Sequence, residues 1–107
     1  EIETLIFDEI DTGISGITAG KVGDRLRLIG KSRQVICITH LPQIAATADH
    51  HFLIRKKAEG TSVRTDVEML DEAASVEELA RLLGGANVTE RVMESAKELK
   101  ELAKCER

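Results

Sequence analysis

Residues 5–16 read Leu5-Ile6-Phe7-Asp8-Glu9-Ile10-Asp11-Thr12-Gly13-Ile14-Ser15-Gly16, an apolar run closed by two consecutive acids and then a stretch rich in Gly, Ser and Thr. A short apolar run bounded in this way is a buried strand followed by a loop. Downstream, Val22, Leu26 and Ile29 recur at helical spacing while Lys21, Asp24, Arg25 and Arg27 take the other face. This pattern predicts an amphipathic helix over residues 17–29, stopped by Gly30. The run Gln34-Val35-Ile36-Cys37-Ile38-Thr39 is apolar and β-branched, which predicts a strand covered on both faces. Strand, helix and strand in this order make a right-handed βαβ unit with parallel strands, so the fold class expected is α/β.

The rest of the chain continues that plan. Pro42 opens a short helix through Ala46, since proline is tolerated at the first helical position. Residues 51–55 and 62–70 read as two antiparallel strands joined by a polar turn around Glu59 and Gly60. Ser75-Val76-Glu77-Glu78 matches a capping box at the start of a helix that Gly84 and Gly85 end. Thr89 caps a last helix that buries Val92, Ala96, Leu99 and Ala103, with Glu94/Lys97 and Glu101/Lys104 as outward (i, i+3) pairs.

With 107 residues, one domain with one modest core is the expectation. The chain begins at Glu1 and enters an apolar strand within a few residues, which predicts a segment of a longer protein. A net charge of −4, no Trp or Tyr and only Phe7 and Phe52 as aromatics argue against direct nucleic-acid recognition, which needs clustered Lys and Arg or stacking rings. Any DNA contact is expected elsewhere in the parent. Cys37 and Cys105 lack metal-type spacing and read as reduced thiols. No apolar stretch reaches the roughly 18 residues of a membrane span.

Chemistry is expected where the strands end. In open α/β sheets ligands bind at the carboxyl ends of the strands, which is where Asp8, Glu9 and His40 emerge if the two strands are parallel. Consecutive carboxylates there suit a metal-bound phosphate and an activated water, and a neutral His beside them can donate a hydrogen bond to a phosphate oxygen. Taken singly, the acids are equally read as solvated strand-end residues, and His40 as a capping or surface histidine. Asp49, His50 and His51 are not a convincing metal site, because neighbouring strand residues point to opposite faces. Lys56, Lys57 and Arg64 read as a solvated strand edge.

Three stretches together resemble a known family: residues 5–16 as quoted, Ile38-Thr39-His40-Leu41-Pro42-Gln43-Ile44-Ala45, and Val76-Glu77-Glu78-Leu79-Ala80-Arg81-Leu82-Leu83-Gly84-Gly85. The first two are similar to the Walker B motif, D-loop and switch histidine of ABC ATPases. All three in this order look like the RecN family of SMC-like ATPases, over nearly the whole chain. The resemblance implies that residues 1–107 are the C-terminal lobe of an ABC-type ATPase head: a partial P-loop NTPase with a parallel βαβ core, a β-hairpin and two C-terminal helices. It implies ATP and Mg²⁺ as cofactors, with Asp8 the metal-associated acid, Glu9 the catalytic base and His40 the γ-phosphate switch. Residues 11–16, among them Asp11, Ser15 and Gly16, would be the D-loop that meets nucleotide across a head dimer. Ser15 stands where many ABC proteins carry an acid.

The same resemblance implies three partners: an N-terminal head segment carrying the P-loop, a second head in an ATP-dependent dimer, and DNA through the parent protein. It further implies ATP hydrolysis during double-strand break repair and recombination, in the bacterial cytoplasm at the nucleoid. No Gly-x-x-x-x-Gly-Lys-Ser/Thr string occurs in the chain, so the phosphate-cradling loop is not here. Heads of this type place the P-loop strand between the His40 strand and the strand near His51. An open slot is expected at that position, with association of the segment to close it. Two other readings stand beside this one: a non-catalytic interaction module, and a small metal-dependent phosphohydrolase using Asp8, Asp11 and His40.

Overall fold

The computed structural model describes residues 3–8 and 13–105. Its order is β1 (Thr4–Asp8), α1 (Gly16–Ile29), β2 (Gln34–Ile38), α2 (Pro42–Ala45), β3 (His51–Glu59), β4 (Ser62–Leu70), α3 (Glu72–Gly84) and α4 (Glu90–Cys105). β1 and β2 pair in parallel, with Thr4 opposite Gln34 and Asp8 opposite Ile38. α1 makes the crossover that parallel strands require. The expected α/β class and parallel βαβ unit are both present.

Alternation along each strand decides what is buried. Phe7, Val35 and Cys37 pack against Ala19, Leu26 and Ile44, joined by Ile14, Val22 and Leu41. The opposite face of both strands is open: Ile6 is 66% exposed, and Ile36 and Ile38 are also exposed. The expectation that β2 is covered on both faces is therefore corrected, since α1 and α2 cover one face only. Parallel sheets normally have both faces buried, whereas here one face of β1 and β2 is exposed at these positions.

β3 and β4 form a separate antiparallel sheet that is not hydrogen-bonded to β1 and β2. The hairpin is longer than the hydrophobic pattern suggested, because β3 continues through the charged residues Arg55, Lys56 and Lys57 to Glu59. Gly60, at φ +60°, takes the left-handed conformation that the tight turn needs and that a side chain would resist. Phe52, Ile54, Val67 and Met69 are all exposed. The register places them on one side, with Phe52 opposite Met69 and Ile54 opposite Val67.

The start of α3 is a second correction. Asp71, not Ser75, is the N-cap, and its carboxylate accepts from the Ala74 N–H at 2.8 Å. Ser75 lies inside the helix, 1% exposed, because its apolar neighbours Val76, Leu79 and Ala80 turn that stripe into the core. The helix ends as expected, at Gly85 with φ +62°. α4 follows Thr89, whose hydroxyl accepts from the Val92 N–H at 3.3 Å. Among the described residues neither expected (i, i+3) ion pair on α4 forms. Lys104 reaches Glu72 of α3 at 2.7 Å, and Lys100 lies 4.0 Å from the same carboxylate.

The short helix α2 joins the two halves of the core. Ile44 faces the sheet-side cluster, whereas Ala45 and Ala46 pack with Leu79, Ala80 and Ala96 of the helical pair. Its fit against α1 is close. A Cβ at Gly23 would stand 3.0 Å from Thr47 Cγ2 and 3.2 Å from the Gln43 carbonyl oxygen.

Candidate nucleotide site

Asp8 is the last residue of β1 and is exposed. In the parallel register its partner is Ile38, so His40, two residues beyond the end of β2, leaves the sheet at the same edge. The Thr39 hydroxyl accepts from the Leu41 N–H at 3.0 Å. That bond turns the chain between β2 and α2 and leaves His40 on the outside, exposed. Pro42 at the first helical position then starts α2 with its φ already set.

Ser15 and Gly16 lie at the start of α1. The Ser15 hydroxyl is the helix cap: it accepts from the Thr18 N–H at 3.3 Å and donates to Thr18 Oγ1 at 3.1 Å. It remains exposed, with one acceptor lone pair uncommitted. Gly16 is packed from one side by α2, where an added Cβ would stand 3.3 Å from Gln43 Nε2. Glu9 and Asp11 lie outside the described residues. Asp8 and His40 are thus brought to one edge, and Ser15 and Gly16 form the shoulder of the helix that follows.

Among the described residues no group of three or more His, Cys, Asp and Glu side chains is arranged to hold a metal ion. A single exposed carboxylate at a strand end still fits Mg²⁺, which keeps several waters and takes one or two protein carboxylates plus phosphate oxygens. Among the described residues no helix is long and apolar enough to cross a membrane.

One polar cluster escaped the sequence reading. His51 Nδ1 and Ser75 Oγ are 2.7 Å apart. Glu78 and Lys100, both buried, lie close enough to act on the imidazole electrostatically. Burial lowers the pKa of His51, the Lys100 ammonium lowers it further, and Glu78 opposes them. A Ser-His pair at this distance has the form of an activated nucleophile, but Ser75 is enclosed and no substrate can reach it. Its place on the otherwise apolar stripe of α3 was the available signal.

Comparison with known proteins agrees with this architecture. No family model matches the chain. The DNA repair protein RecN of Halalkalibacterium halodurans is 47% identical over 102 residues, 95% of this chain. RecN of Vibrio cholerae is 48% identical over 96 residues, and RecN of Streptomyces coelicolor is 40% identical over 106 residues, 99% of the chain. Over this stretch the chain belongs to the RecN family. It spans only 17–18% of the length of these RecN relatives, and it matches their C-terminal region. A solved structure from work on the structural biochemistry of ATP-driven dimerisation and DNA-stimulated activation of SMC ATPases superposes with a TM-score of 0.61. The match has 21% identity and covers 79% of this chain and 50% of that one. It shows the fold, that of part of an SMC-type, P-loop NTPase-like head.

Proposed function

We propose that residues 1–107 are the C-terminal lobe of a RecN-type ATPase head, and that they supply the hydrolytic half of an ATP site at a head dimer interface. The observation that carries this reading is the parallel register of β1 and β2, which brings Asp8 and His40 to one sheet edge. On this reading Asp8 holds Mg²⁺, which neutralises phosphate charge when bound. Glu9, next along the chain and off the metal, takes the proton of the attacking water. The His40 imidazole N–H donates to a γ-phosphate oxygen. Asp11, Ser15 and Gly16 belong to the loop that meets the nucleotide held by the second head.

The open face of β1 and β2 and the exposed apolar side of the hairpin support a further part of the reading. They are the surfaces that an N-terminal head segment carrying the P-loop would cover, its strand lying between β2 and β3. The acidic balance of the chain supports DNA contact through other parts of the parent. Repair of double-strand breaks is the role in which this ATP cycle would act.

The test is Glu9→Gln in the full-length protein that carries this segment. Gln keeps the shape and a hydrogen-bonding oxygen but accepts no proton, so ATP binding should survive while single-turnover hydrolysis falls about 10²-fold or more. Hydrolysis at the wild-type rate would remove Glu9 from the mechanism.

A further inference from the structure

We propose that Gln43 is a positioning residue through which the placement of the loop ending at Gly16 is passed to His40. This rests on the nucleotide-site reading above. Gln43 is the second residue of α2, three positions after His40. The segment between them is held by the Thr39–Leu41 hydrogen bond and by Pro42. His40 therefore follows α2 wherever α2 moves.

The side chain of Gln43 meets the other segment of the site. Its Nε2 lies where a Cβ at Gly16 would come within 3.3 Å, so the amide abuts the first residue of α1. Its Oε1 is buried and has no hydrogen-bond partner. Either way round, the amide sets one polar atom against Gly16 and leaves the other enclosed. A buried polar atom without a partner calls for a reason, because a methionine of the same length would fill the space without that cost. The start of α1 offers suitable donors, since the first N–H groups of a helix have no intrahelical acceptor. Only the Thr18 N–H is taken by the Ser15 cap.

The backbones on the same flank are equally close. The Gln43 carbonyl oxygen would be 3.2 Å from a Cβ at Gly23, so α1 and α2 have no slack between them. A shift of the loop at the start of α1, as when a second head engages it, is carried by the Gln43 amide into α2. From there it reaches His40.

The experiment uses the full-length protein with Gln43→Met, Gln43→Glu and His40→Ala, each measured for ATP affinity, single-turnover hydrolysis and melting temperature. Gln43→Met is expected to bind ATP within about twofold of wild type and to melt no lower, yet to hydrolyse at least about tenfold more slowly. Gln43→Glu keeps an acceptor oxygen and should be faster than Gln43→Met. Wild-type hydrolysis by Gln43→Met, alongside a slow His40→Ala, overturns the positioning role alone. Parallel losses of melting temperature, affinity and rate in Gln43→Met overturn it in favour of packing, and a Gln43→Glu rate no higher than that of Gln43→Met also overturns it. Wild-type hydrolysis by His40→Ala overturns the nucleotide-site reading and this proposal with it.

Discussion

His51 Nδ1 lies 2.7 Å from Ser75 Oγ, tying the first residue of the hairpin to the buried stripe of α3. Burial and Lys100 hold the His51 pKa below the ordinary 6.5, so the unfolded chain binds the proton more readily than the folded one. The stability contributed by the neutral imidazole is fully present above pH 6.5 and is lost as pH falls from there toward the folded pKa. Urea midpoints at pH 7.5 and 5.5 should show this loss in the wild-type chain and a smaller one in His51→Gln. Equal losses in the two would show that His51 does not titrate in this window.

The two polar residues near the start of α3 should separate by mechanism. Asp71→Ala removes the N-cap and should cost about 1 kcal/mol at neutral pH. Ser75→Ala leaves the cap intact and removes the one side-chain partner that the His51 ring has among the described residues. A buried imidazole nitrogen deprived of its hydrogen bond costs about 1–3 kcal/mol. In the double variant Ser75→Ala with His51→Gln, the two losses should not add, because both act on one bond. Full additivity in denaturant titrations would mean that the bond contributes nothing.

Much of this was legible in advance, and the exceptions share one cause. The parallel pair, the hairpin, the C-terminal ends of α1 and α3 and the start of α4 follow from periodicity, Gly30, Gly60, Gly85 and Thr89, all local signals. Ser75 was misread because Ser-x-x-Glu fits a capping box locally, whereas Asp71, four residues earlier, captures the helix start and the core takes Ser75. β2 was read as covered on both faces because its composition suits a fully buried strand. In the fold one face is exposed at Ile36 and Ile38, because α1 and α2 pack on the other one. Strand ends alone bring Asp8 and His40 to one sheet edge, but Gln43 was invisible because its meaning depends on a close approach between helices distant in sequence.

That close approach gives a third prediction. Gly23→Ala should gain about 1 kcal/mol of helix propensity, yet its Cβ would press on Thr47 Cγ2 and on the Gln43 carbonyl oxygen. Overpacking of this kind costs about 1–3 kcal/mol, so the net change should be destabilising. Adding Thr47→Ser removes the methyl group but not the backbone oxygen, and should recover only part of the loss. A stabilised Gly23→Ala chain would mean that α1 and α2 separate easily, which would also weaken the coupling proposed through Gln43.

The isolated segment should hydrolyse no ATP. Phosphoryl transfer depends on positioning and on neutralising phosphate charge, and the P-loop amides and lysine that supply much of this are not in the sequence. It should also associate, since the exposed Ile6, Ile36 and Ile38 leave apolar surface uncovered. Sedimentation at rising concentration tests the association, and a strict monomer would count against it. Steady Mg²⁺-dependent ATP turnover, lost in Asp8→Asn, would favour a small phosphohydrolase.

In the full-length protein, Asp8→Asn and His40→Ala should fail in different ways although both residues lie at one sheet edge. On the proposed reading Asp8→Asn weakens the metal shell, which removes charge neutralisation from the bound nucleotide as well as from the transition state. ATP affinity and hydrolysis should therefore fall together. On the same reading His40→Ala deletes one donor to the γ-phosphate and leaves the metal in place, so ATP affinity should change little while hydrolysis falls about 10-fold or more and the closed head dimer dissociates faster. Affinity, single-turnover rate and dimer lifetime measured on both variants distinguish these outcomes. If Asp8→Asn binds ATP with Mg²⁺ as tightly as wild type, the carboxylate at the end of β1 is not a metal ligand, and its position opposite Ile38 serves only to end the strand.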